Sequence, residues 1–124
     1  MERRVDQERC ERLMKEWQVR LGLQDWELTI QPMCAPDEMP HGEAAGCTEW
    51  SEVLKVGKIY LLNPLYYGDR LRPFDAEKTI VHELLHLKLC LVADSENDIQ
   101  DRYMHQINDD LARAFVFTER LFTA

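Results

Sequence analysis

Two histidines and a glutamate stand where they can act together in the segment His82-Glu83-Leu84-Leu85-His86. Residues at i and i+4 of a helix face the same way with Cβ atoms about 5–6 Å apart, so His82 and His86 can share one ion. Zinc takes neutral imidazole nitrogen at roughly 2.0–2.1 Å and accepts that arrangement readily. Glu83 lies one residue on, about 100° around the helix and at the edge of the face that would hold metal. From there a carboxylate can take a proton from an activated water without itself being a ligand. The plain alternative is a pair of satisfied core histidines beside a surface glutamate. The surroundings oppose it, because the segment from Ala76 to Val92 carries Ile80, Val81, Leu84, Leu85, Leu87, Leu89, Cys90 and Leu91 and is apolar on nearly every side. A helix of that kind is buried in the middle of a domain, where two histidines and an acid need a purpose.

Two histidines do not complete a site. A catalytic zinc has three protein ligands and keeps its fourth position open. The chain holds two further histidines, His41 and His105. His41 falls in a Pro/Gly-rich stretch and suits a surface or substrate-loop contact. His105 falls on the next expected helix, which a turn after His86 can bring back. Helical spacing puts Asp101, His105, Asp109 and Ala112 on one face, apart from Ile107 and Leu111. A histidine followed one turn later by an acid is the pattern of a ligand with a supporting carboxylate, so Asp109 could hold the ring N–H of His82 or His86. Asp101, Asp109 and Glu119 compete with His105 for the ligand role, and a solvated polar face is the bland reading. The expectation is one Zn2+ per chain on His82, His86 and His105.

These residues need a scaffold of helices around a small sheet. From Glu2 to Leu21, Cys10, Leu13, Met14, Trp17 and Leu21 recur at helical spacing, and Gly22 is a natural stop. Trp26 to Ile30 alternates as a strand, with Pro32 expected to end it. Residues 31–46 hold three prolines and two glycines and read as a connection. A strand is expected near Ala45–Ser51 and a clearer one over Gly57–Leu62. Asp75 suits the N-cap of the histidine helix. Ser95-Glu-Asn-Asp98 resembles a capping box opening a last helix to Leu121, with Tyr103, Ile107, Leu111, Ala114, Thr118 and Phe122 as its core stripe. The order predicts a single α+β domain over 1–124, with an N-terminal helix, a small, mostly antiparallel sheet, a central histidine helix and a C-terminal helix.

The segment Thr79–Leu89, and more loosely Gln106–Phe115, resembles the gluzincin branch of the HExxH zincin metallopeptidases, above all the minimal forms called minigluzincins and small phage-type metallopeptidases. In those families a second helix supplies the third ligand, followed one turn later by an acidic support. Aligned on Leu111-Ala112, His105 takes the ligand position and Asp109 the support. Gluzincins place glutamate at that ligand position, so the histidine is a departure; SprT-like proteins use histidine there. The metzincin signature is absent, since Leu89 and Val92 stand where it has glycine and histidine. The resemblance implies a zincin-like fold, with the strand Lys58–Leu62 as the edge along which an extended peptide lies.

The function this implies is zinc-dependent hydrolysis of peptide bonds with Glu83 as the base. Tyr60, Tyr66, Tyr67 and His41 are the candidates for oxyanion or substrate contacts. A catalytically inactive zinc-bound interaction module, of phage or prophage type, is the alternative. The partner is then a protein or peptide, with oligomeric state open. A net charge of −8 spread along the chain offers no basic face for nucleic acid. No apolar run approaches the ~18–20 residues of a membrane span. The start, Met-Glu-Arg-Arg-Val-Asp, lacks the apolar segment of a secretion signal, so the expected location is cytoplasmic. Cys10, Cys34, Cys47 and Cys90 have no CxxC spacing and are expected as free thiols, mostly buried.

Overall fold

A computed structural model of the protein describes residues 6–40, 44–68, 73–90 and 98–123, with side chains from 102 to 122 in the last stretch. The expected capping box at 95–98 and the tail of the histidine helix beyond Cys90 lie outside the described residues. The elements run α1 (Gln7–Arg20), β1 (Glu27–Cys34), β2 (Gly46–Ser51), β3 (Val56–Leu62), α2 (Ala76–Leu89) and α3 (Asp98–Thr123), an α+β arrangement.

Local chemistry sets the ends of the helices. Asp6 caps α1 by accepting from the backbone N–H of Arg9, and Gly22 takes φ +71° just after it, a conformation that favours glycine. Asp75 caps α2 as its position predicts, accepting from the N–H of Lys78. The α1 stripe buries Cys10, Leu13, Met14 and Trp17. The Trp17 indole N–H donates to Glu77 at 2.8 Å, and Arg120 of α3 reaches both Asp75 and Glu77. The three helices are therefore tied together at the N-terminal end of α2.

The sheet is mixed, not mostly antiparallel. Its order is β1-β3-β2, with β1 parallel to β3 and β2 antiparallel to it. A short β2–β3 hairpin makes the antiparallel pair, and β1 must then take the other side of β3. This overturns the expectation that the strand Lys58–Leu62 is an edge, because β3 is central and β2 and β1 are the edges. Pro32 also fails to end its strand. It is tolerated because β1 is an edge strand and bulges there: the register shifts between Gln31 and Cys34, and Met33 adopts φ +59°.

One face of the sheet covers α2, with Ile30, Ile59 and Leu61 joining Ile80, Val81, Leu84, Leu85 and Leu87 in the main core. Cys34, Met39, Cys47 and Leu62 form a smaller cluster. Cys10, Cys34 and Cys47 are buried and Cys90 is partly so.

α3 turns the other way from the sequence expectation. Its buried residues are Asn108, Ala112 and Val116, with Leu111 partly buried, whereas Tyr103, Ile107, Ala114, Thr118 and Phe122 face solvent. The more apolar stripe is thus on the outside. The inner face carries small residues, which allow a helix to approach α2 closely. Asn108 is fully buried with neither side-chain nitrogen nor oxygen hydrogen-bonded. Such a group costs about 1–3 kcal/mol, so Asn108→Leu, which keeps the branching and number of side-chain heavy atoms, should raise the denaturant midpoint. A lower midpoint would mean that the amide has a bound partner.

Candidate metal centre

α2 presents His82 and His86 on the side that α3 covers, and α3 brings His105 to meet them. The ring centroids are 5.1 Å apart for His82–His86, 5.9 Å for His82–His105 and 4.7 Å for His86–His105. One nitrogen from each ring lies within 4.8 Å of the other two. Donors about 2 Å from one tetrahedral ion stand about 3.3 Å apart, so small rotations of the side chains would let these three nitrogens close on it. His82 and His86 are partly buried and His105 is exposed, so the cluster opens to solvent along α3.

The electrostatics favour a neutral His82 ring. Burial lowers the pKa of His82 below the ordinary imidazole value; Asp109 opposes this and His105 adds to it. The Nδ1 of His82 is 3.8 Å from a carboxylate oxygen of Asp109, too long for a hydrogen bond but on the correct side for a support. Arg113 holds the other Asp109 oxygen at 3.3 Å.

Glu83 is turned toward the sheet. It is 5% exposed, and Thr48 of β2 donates its hydroxyl to Oε1 at 2.7 Å. Burial pushes its carboxyl up to about 7, with the Thr48 bond pulling the other way. The reason β2 can lie so close is Gly46: a Cβ there would stand 2.6 Å from Thr79 Cγ2 and 3.2 Å from Glu83 Oε2. Two residues past Thr48, the Trp50 ring stacks on His86 at 6.4 Å and 18°. Gly46, Thr48 and Trp50 therefore share the face of β2 that looks onto α2. Sequence reasoning missed all three, although period-two alternation along this strand could have grouped them.

No protein-family model, curated protein or solved structure matches this chain. The site therefore stands on its own geometry.

The remaining candidates are scattered. Tyr60 pairs with Cys47 across the ladder, so it lies on the opposite face of the sheet from Thr48. Its hydroxyl donates to Glu49 at 2.7 Å, away from the histidines. Tyr66 and Tyr67 lie in and just after the turn that follows β3, Tyr66 exposed and Tyr67 edge-on to Phe74. His41 lies outside the described residues, as does the side chain of Asp101. Glu119 pairs with Arg20 of α1 at 2.9 Å, one to two helix turns beyond Ala112 and away from His105. Among the described residues no helix is long and apolar enough to cross a membrane.

Proposed function

We propose that this protein is a zinc-dependent peptidase of the zincin type, holding one zinc on His82, His86 and His105 with Glu83 as its base. The convergence of three imidazoles from two helices, beside a buried glutamate, is the observation that carries this reading. Three neutral nitrogens with an open side are the donor set of a catalytic rather than a closed structural zinc. Bound zinc would supply Lewis-acid activation of a water and of the scissile carbonyl. Glu83 accepts the proton given up by the attacking water and returns it to the departing amine; a carboxyl near 7 is suited to both tasks. Thr48 fixes the carboxylate, and the Asp109 carboxylate faces Nδ1 of His82 at 3.8 Å, close enough to support the ring after a small movement.

The substrate in this reading is an extended peptide laid along the free edge of β2, whose inner face carries Thr48 and Trp50 beside the cluster. This moves the peptide-binding role from β3 to β2. Cys10 and Cys34, buried as free thiols, suit a reducing, cytoplasmic setting. A second reading, a zinc-bound interaction module without activity, draws on the close cover of Glu83 by β2 and of His86 by Trp50.

The test is to incubate zinc-loaded protein with a mixed peptide library and follow new termini by mass spectrometry. Cleavage that a chelator stops and zinc restores is the expected result. A protein that holds zinc and cleaves nothing would sink the peptidase and leave the interaction module.

A further inference from the structure

α3 is apolar on two opposite sides. Its inner face packs on α2, and its outer face displays Tyr103, Ile107, Asp110, Ala114, Phe117 and Leu121 at alternating intervals of four and three residues. That is a heptad repeat carried along most of the helix with one polar member, the pattern by which one helix packs against another. Tyr103 is 62% exposed, Ile107 44%, Phe117 64% and Leu121 63%. At about 150–250 Å² per aromatic side chain, with somewhat less for the aliphatic ones, this leaves roughly 500 Å² of apolar surface uncovered. This is less than the roughly 800 Å² per partner of a standard interface and fits a weaker, concentration-dependent pairing.

We propose that this face binds a second copy of the same chain, with the two α3 helices antiparallel about a two-fold axis at the level of Ala112. The spacing is self-complementary in that register. Tyr103 meets the second copy's Leu121, Ile107 meets Phe117, and Asp110 meets the small Ala114. The register also sets the second copy's Arg113 beside Asp110, a carboxylate that already pairs with Arg113 of its own helix. A parallel pairing would instead press Asp110 against its own copy, burying like charges. The histidine cluster lies on the opposite side of α3, so this pairing leaves it open.

Sedimentation velocity on the full chain, from about 1 to about 100 μM, tests the pairing. The wild type should shift from monomer to dimer within that range. Phe117→Lys should weaken association by at least about tenfold, because it puts a charge at the centre of the seam. Its circular dichroism should not change, because position 117 is exposed. Asp110→Leu should tighten association by about tenfold by removing the one charge in the seam. A wild type that stays monomeric throughout overturns the proposal and leaves the face to an unrelated partner. A dimer indifferent to both substitutions overturns it as well, by moving the interface elsewhere.

Discussion

Zinc content should fall from about one per chain in the wild type to near zero in His82→Ala and in His105→Ala, as read by elemental analysis after dialysis. Each substitution leaves two imidazoles, and two neutral donors hold a divalent ion poorly. The two variants should behave alike although one residue sits in a recognisable motif and the other does not, because the three nitrogens lie within a single 4.8 Å cluster. Asp109→Asn should lie between, losing about 10–100-fold in affinity, since its carboxylate faces the His82 ring and is not in the three-nitrogen cluster. Glu83→Gln should keep its zinc, because the cluster is made by the three histidines and Glu83 is not among its donors. Zinc retained in His105→Ala would refute the three-histidine site and move the third ligand to an acid, with Asp109 the nearest. The partly buried His82 stays neutral to lower pH than an ordinary imidazole, so protons compete less for it than for an exposed histidine.

Glu83→Gln should abolish peptide cleavage and yet make the metal-free protein more stable. A general base contributes about 10²–10⁴-fold in rate, so cleavage should drop by at least that much. The stability effect follows from burial. The carboxyl rises from an ordinary 4.5 to about 7 in the folded chain. Between those values the folded state keeps a proton that the unfolded state has released, so stability falls as pH rises through this window. Above about pH 7 the full penalty applies, about 3 kcal/mol at roughly 1.4 kcal/mol per pH unit. Glutamine carries no charge to bury. Chelator-treated Glu83→Gln should therefore match the wild type near pH 4.5 and exceed it increasingly up to pH 8, as urea denaturation would report. Equal stability at pH 8 would mean that Glu83 is solvated or partnered in solution and that β2 does not seal it.

Much of the local structure was legible because it depends on neighbours in the chain. The α1 stripe of Cys10, Leu13, Met14 and Trp17 is buried as its spacing predicts, and Asp75 caps α2. Elements whose character depends on distant partners were not legible. Pro32 reads as a strand end, but an edge strand with a bulge accommodates it. Tyr60 sits on a clear strand, but the strand order alone decides that its ring faces away from α2. Gly46 reads as a loop residue, and only the close approach of β2 to Glu83 gives it a role.

By itself the sequence determined that α2 is buried and that His82 and His86 point the same way, since a 3.6-residue period allows nothing else for i and i+4. It also singled out His105 and Asp109 as one face of α3. The tertiary structure decided that the Asn108–Ala112–Val116 face, with His105 at its open end, and not the more apolar Tyr103–Ile107–Phe122 stripe, turns inward. Hydrophobic counting ranks faces by apolar content, whereas helix packing also rewards small side chains such as Ala112 that let backbones approach. The same packing closed the three-histidine cluster, covered Glu83 with β2, and left the outer apolar stripe of α3 exposed for a partner.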